Sequence, residues 1–229
     1  MAAPVIMTQT SNLNENVEEV IHLPFIRLKK LSFNQELLND HYDWIIFSSK
    51  NAVKFFNEYY PKVDVSHVAA IGEKTKKYCN QRDITVDFFP ENFSQEGFIN
   101  EFTVNKDSRI LIPSSAAARP LLQTKLQEQD AEVVKIDLYE PEAYTENIEQ
   151  AISLLKRGLA SGIAFASSSA ADYFFEEAEE ANLGANYMYY AIGKPTFEKI
   201  KQFGFKAEIA NEQTIDGLLN IIKESRNRK

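Results

Sequence analysis

The sequence predicts an α/β protein built as two similar domains, each a parallel sheet flanked by helices. Three observations carry that expectation. Short apolar runs alternate with amphipathic stretches along nearly the whole chain, the pattern of strands that hand over to helices. The stretch Ile45-Ile46-Phe47-Ser48-Ser49-Lys50-Asn51-Ala52-Val53 returns in degraded form as Ile163-Ala164-Phe165-Ala166-Ser167-Ser168-Ser169-Ala170-Ala171. The spacing of landmarks is also kept: 118 residues separate Phe47 from Phe165, 121 separate Gly72 from Gly193, and 120 separate Gly97 from Gly217. Two copies make a duplicated domain rather than a solenoid.

In chain order, residues 4–8 read as a short apolar strand, 15–20 as a brief helix and 20–26 as a second strand. Pro24 cannot donate to a ladder, so that strand is expected at an edge or ends there. Residues 31–34 read as a crossing segment and 36–39 as one helical turn. The run 44–47 is a buried strand, and 50–60 a helix stopped by Pro61. Next come a strand at 68–72, a helix at 73–82, a short strand at 86–89 ending at Pro90, and a helix opened by Ser94 and running to Phe102. Residues 109–113 form a strand, Ser114-Ser115 cap a helix through Gln129, and 132–139 form a strand closed by Pro141.

The remainder repeats the earlier block. Helices are expected at 148–157, 170–180, 196–203 and 215–223, and strands at 162–165, 189–193 and 207–210. The tail, 224–229, reads as disordered. The leading strands correspond as well, Val5-Ile6-Met7-Thr8 with Ile110-Leu111-Ile112-Pro113 and Val20-Ile21-His22-Leu23 with Val133-Val134-Lys135-Ile136.

Bulk properties exclude several function classes. A length of 229 residues with 44% hydrophobic residues supports one large or two small cores. The formal net charge of -8 argues against a nucleic-acid binder, which carries a basic face. Cys79 is the only cysteine, so neither an intrachain disulfide nor a thiolate-rich zinc site is expected. No metal or other cofactor is implied. The first ten residues lack a basic segment followed by an apolar one, and no run of eighteen apolar residues occurs, so the expectation is a cytoplasmic protein with no membrane partner.

Each copy holds three strand-to-helix turns lined by small residues: Ser48-Ser49 and Ser167-Ser168-Ser169, Gly72 with Thr75 and Gly193 with Thr196, Ser94 with Gly97 and Thr214 with Gly217. Helix-start N–H groups have no intrahelical acceptor, and small side chains leave them open to carboxylates or phosphates. The plain alternative is that each hydroxyl only caps its own helix. Neither Gly72 nor Gly193 sits in a dinucleotide or P-loop motif, and the serines lack a nucleophile elbow. His22, His41 and His67 have no metal-ligand spacing and read as surface or structural residues. Tyr139 stands out because it ends a strand, where its O–H can meet a ligand while its ring packs; a boundary tyrosine of the core is the competing reading.

These residues resemble the uroporphyrinogen-III synthase family. Phe47-Ser48-Ser49-Lys50-Asn51-Ala52-Val53 is similar to the family's F-T-S-x-x-A-V stretch. Ala70-Ile71-Gly72-Glu73-Lys74-Thr75 and Ala191-Ile192-Gly193-Lys194-Pro195-Thr196 resemble its I-G-x-x-T turns, and Leu138-Tyr139 its V-Y-x-T. The likeness spans about Val5 to Ile222. The chain differs from the family in having Ser48 for a threonine, Gln9 for a basic residue, and Pro141 where a threonine follows the tyrosine.

The resemblance implies that residues 1–33 join 142–229 in one domain, that 34–141 form the other, and that a two-stranded connector crosses a cleft between them. It implies a monomeric, cofactor-free lyase that closes the linear tetrapyrrole polycarboxylate hydroxymethylbilane, with inversion of the last pyrrole ring and loss of water. Tyr139 would assist hydroxide departure. Ser48, Ser49, Thr75, Ser167, Ser168 and Thr196, with the N–H groups around Gly72 and Gly193, would hold acetate and propionate groups, and Lys50, Lys74 and Lys194 would add local positive potential. Two other readings stand beside this one. One is a non-catalytic cytoplasmic binder of a small polyanionic metabolite; the other is a two-domain glycosyltransferase, for which the chain is short and no nucleotide-diphosphate clamp is visible.

Overall fold

A computed structural model describes residues 3–11, 19–181, 183 and 187–228. The chain divides into two compact units, Met1–Arg27 with Glu142–Lys229, and Leu28–Pro141. The described elements follow in order: β1 (Val5–Met7), β2 (Val20–His22), β3 (Ile26–Lys30), β4 (His41–Phe47), α1 (Lys50–Phe56), β5 (Asp64–Ala70), α2 (Glu73–Asn80), α3 (Gln95–Glu101), β6 (Arg109–Ser115), α4 (Leu121–Gln127) and β7 (Glu132–Ala143). Then come α5 (Thr145–Lys156), β8 (Gly162–Phe165), α6 (Ser168–Glu180), β9 (Met188–Ala191), α7 (Lys194–Gln202), β10 (Glu208–Ile209) and α8 (Ile215–Asn227). Single 3-10 turns lie at Gln35–Asn39 and Tyr60–Lys62.

The first unit holds the sheet β10-β9-β8-β1-β2, and the second the sheet β3-β7-β6-β4-β5. Ladders β1–β2, β1–β8, β8–β9 and β9–β10 are parallel, as are β4–β5, β4–β6 and β6–β7. When β8, β9, β1 and β2 are matched with β4, β5, β6 and β7, the two strand orders coincide. The duplication read from the sequence is therefore also a duplication of topology. Even the short β10 has a counterpart, because Phe88 bridges Ala69 of β5 as Ile209 pairs with Ala191 of β9.

Both faces of each sheet are covered, which is why the strands read as continuous apolar runs. In the second unit Ile45 and Phe47 pack with Val53 and Phe56 on the α1 side, whereas the intervening Ile46 packs with Phe98, Leu122 and Leu126 on the α3–α4 side. In the first unit Ile163 and Phe165 meet Phe174 and Phe175 of α6, and Ala164 meets Leu218 and Ile222 of α8. The two-residue side-chain period of a strand produces both layers from one run.

Several boundaries differ from expectation. The expected 15–18 part of the first helix lies outside the described residues. Residues 28–33, expected with the first domain, fall in the second unit because β3 pairs with β7. There Leu31 N–H donates to Leu138 O (2.8 Å) and Lys29 pairs with Glu140 (3.3 Å), an order that runs oppositely along the two strands. Strand β7 does not close before Pro141 but continues to Ala143. Its ladder to β6 ends at Tyr139, so a residue lacking an N–H is tolerated beyond that point.

The helix after Ser49 stops at Phe56 rather than at residue 60, and Pro61 instead opens the short turn Tyr60–Lys62. Ser114 and Ser115 belong to β6, and the following helix starts only at Leu121. Residues 86–89 make one bridge, not a strand. The tail to Asn227 is helical: Ser225 Oγ donates to Glu208 Oε1 (3.1 Å) and Arg226 Nη2 to Ala3 O (2.6 Å), contacts with distant residues that its own composition does not announce.

Candidate functional site

The three turns of each copy are built alike. Ser49 caps α1 by accepting the Ala52 N–H at 3.1 Å, and Ser167 caps α6 by accepting the Ala170 N–H at 3.1 Å. Ser94 and Thr214 accept the N–H of Gly97 and Gly217, each at 2.9 Å. Gly72 and Gly193 hold the cap positions of α2 and α7 with no side-chain cap. A Cβ on Gly72 would meet nothing nearer than Thr75 Oγ1 at 3.7 Å, so packing does not demand a glycine there. Its effect is to leave the helix start uncovered.

Capping accounts for Ser49 and Ser167 without any ligand, yet a cap occupies only one of the orphan N–H groups of a first turn. Those of the residues just inside each cap remain for another acceptor. Ser48 and Ser168 flank the caps and are half-buried, while Thr75 and Thr196 are buried one turn into α2 and α7. Lys50, Lys74 and Lys194 are exposed at the same helix starts. The ammonium of Lys50 sits 4.8 Å from the centroid of the Tyr78 ring, so a cation–π contact with α2 holds it.

In the second unit the structure brings two of the sequence candidates together. Tyr139 Oη lies 3.1 Å from Ser49 Oγ. The serine oxygen accepts the Ala52 N–H and keeps a lone pair and its own hydrogen for the phenol. The Tyr139 ring stacks on Phe55 with centroids 4.8 Å apart at 20°. Its backbone is fixed from the other side, since Tyr139 O accepts from Ala116 N–H at 2.8 Å. A register shift between Ser114 and Ser115 sets Tyr139 opposite Ser115, and such bulges re-aim side chains. Burial raises the phenol's pKa above its ordinary value, with the Ser49 hydrogen bond opposing, so Tyr139 is a neutral donor across the physiological range.

The Phe55 stack and the bulge were not legible in the sequence. Phe55 lies in a helix and outside any motif, and the only hint at the bulge is the Ser114-Ser115 pair. The histidines are placed structurally: His22 Nε2 donates to Gln9 O (2.8 Å), His41 Nδ1 is 3.0 Å from Asp64 Oδ2, and His67 packs on Trp44. Among the described residues no group of three His, Cys, Asp or Glu side chains is placed to hold a metal ion. A cavity of about 460 Å³ in the first unit, lined by Phe175, Tyr189, Phe203 and Phe205, lies at the amino ends of its strands. Ligands of open parallel sheets bind at the carboxyl ends, so the turns, and not this cavity, are the candidate site.

Comparisons of the whole chain with known proteins agree with one another. A family model described as Uroporphyrinogen-III synthase HemD matches residues 9–220. A protein of Synechococcus elongatus named uroporphyrinogen-III synthase is 26% identical over 199 residues, covering 80% of this chain and 75% of the relative. A chain of Methanocaldococcus jannaschii, provisionally given the same name, is 29% identical over 205 residues, or 82% of each chain. Among solved structures, uroporphyrinogen-III synthetase of Helicobacter pylori 26695 aligns with a TM-score of 0.63 at 16% identity, covering 98% of this chain and all of the other. A mutant uroporphyrinogen III synthase of the extremely thermophilic bacterium Thermus thermophilus aligns with a TM-score of 0.58 at 15% identity over both full chains. At such identities the structural likeness speaks for the fold alone. No helix among the described residues is long and apolar enough to cross a membrane.

Proposed function

The chain belongs to the uroporphyrinogen-III synthase family, which serves tetrapyrrole biosynthesis, and from that premise we propose that it is a cofactor-free, monomeric, cytoplasmic lyase that closes hydroxymethylbilane with inversion of its last pyrrole ring. The pyrrole nitrogen of such a bilane itself pushes out the terminal hydroxyl. The demand on the protein is to position a flexible polyanion and to decide which ring carbon is attacked. Rows of helix starts with small residues suit that demand, because backbone N–H groups bind carboxylates without strong acids or bases.

In this reading Ser48, Thr75 and the N–H groups after Ser49 and Gly72 hold acetate and propionate groups at the second unit, with Lys50 adding positive potential. Ser167, Ser168, Thr196 and the N–H groups after Gly193 do the same at the first. Tyr139 donates its proton toward the departing hydroxide. The Ser49–Tyr139 hydrogen bond is the observation that carries this assignment, since it places a neutral phenol against a helix start. Nucleic acid has no part in it.

The test is the isomer assay. Enzymatically made hydroxymethylbilane is supplied, and the product is oxidised and resolved into uroporphyrin I and III. Isomer III is expected; exclusive formation of isomer I leaves a binding protein without the chemistry. Tyr139→Phe keeps the Phe55 stack and removes only the hydroxyl. It is expected to lower kcat by on the order of a hundredfold, and an unchanged rate removes Tyr139 from the reaction.

A further inference from the structure

Gln9 presents an anomaly that the turns do not explain. The residue is 4% exposed, and neither Nε2 nor Oε1 has a hydrogen-bond partner. Among the described residues it is the one carboxamide with both polar atoms buried and unpaired; Gln95 shows only its Oε1 in that state. Buried amides are almost always satisfied, and an orphaned one points to a missing partner.

Its placement narrows what that partner is. Gln9 lies two residues beyond β1, the strand between β8 and β2, at the carboxyl ends of all three. The backbone there is tightly held. Thr8 Oγ1 accepts the Ala166 N–H at 3.0 Å and donates to Ala164 O at 3.3 Å, while Gln9 O accepts from His22 Nε2 at 2.8 Å. A misplaced surface residue would not be fastened to both neighbouring strands. The matched position in the second unit, where β6 replaces β1, is Ser114, which is also buried but donates to Ser115 O at 3.2 Å. The same buried polar position is thus satisfied within one copy and left unpaired in the other.

We propose that the Gln9 carboxamide is a specificity-determining group for the bilane: Nε2 donates to a carboxylate of the substrate and Oε1 accepts a pyrrole N–H. A carboxamide offers one donor group and one acceptor, and a linear tetrapyrrole polycarboxylate presents the complement, acidic side chains beside pyrrole N–H groups. This assignment rests on the function proposed above.

Two variants test it. Gln9→Met matches the side chain in length without its polar atoms. It is expected to raise the thermal midpoint by about 2–4 °C, since an unsatisfied buried group is removed, and to raise KM for hydroxymethylbilane by on the order of tenfold. Gln9→Glu keeps an acceptor but sets a negative charge against the carboxylate, so its KM should exceed that of Gln9→Met. An unchanged KM in both variants overturns the proposal, whatever the midpoint does. A Gln9→Met chain that is less stable or does not fold also overturns it, because the amide is then structural. The unaltered chain run alongside separates the two levels: if it yields no isomer III the proposed function fails, whereas isomer III with normal KM in the variants removes Gln9 alone.

Discussion

Ser49 does two jobs where Ser167, its counterpart in the other copy, does one. Both cap a helix, but only Ser49 also meets a tyrosine. An N-cap serine contributes about 1 kcal/mol, and a buried hydroxyl pair adds about 1 kcal/mol more. Ser49→Ala should therefore lose about twice the stability lost by Ser167→Ala in urea unfolding, and combining it with Tyr139→Phe should cost less than the two single changes summed. Equal losses at the two serines would show that the contact with Tyr139 carries no stability. The residue types at these turns were readable from the sequence. The partnership of Ser49 with Tyr139 was not, because it joins a helix cap to a strand 90 residues further on and no local pattern spans that distance.

At the scale of elements, the helices begin where their caps direct and the strands run where both faces are apolar. Gly97 and Gly217 show how closely α3 and α8 are docked on the turns that precede them. A Cβ at Gly97 would stand 2.3 Å from Asn92 O, and one at Gly217 would stand 2.1 Å from Glu212 O. The obstacle is backbone in both cases and cannot swing aside. Gly97→Ala and Gly217→Ala are each expected to cost about 1–3 kcal/mol or more through overpacking, read as a lowered midpoint in chemical denaturation. A neutral result at either would mean that the helix start can slide. Strand β3 and the last turns of α8 escaped the sequence reading for a common reason. The run Ile26-Arg27-Leu28-Lys29-Lys30 is charged on alternate positions and β7 supplies its partner, while the final turns of α8 are fastened by Glu208 and Ala3.

For the molecule as a whole, the buried aromatic cores set a limit on alkaline stability. Burial raises the pKa of Tyr42, Tyr60, Tyr139, Tyr189 and Tyr190, and pushes the Cys79 thiol up to about 11. A group whose folded pKa lies above its unfolded one contributes stability that is complete below the unfolded value and is lost as pH rises through the folded one. Thermal midpoints should hold level from neutral pH to about 9 and fall beyond about 10, where unfolded phenols ionise. A midpoint insensitive to pH up to 11 would indicate that these rings are wetter than the packing shows.

What the amino-acid sequence by itself determined is the pair of largely parallel α/β sheets, their duplication, the places where most helices start and the set of small residues at those starts. Each of these is written in short-range terms: the two-residue alternation of a strand, the cap at a helix start, the recurrence of a motif at a constant offset. Only the tertiary structure decided that β7 runs on through Pro141, that a shifted register turns Tyr139 toward Ser49 and Phe55, and that Gln9 is buried with its amide unsatisfied. Those outcomes depend on which distant strand lies alongside, and pairing between distant strands is an energy of the assembled core rather than of any local stretch of chain.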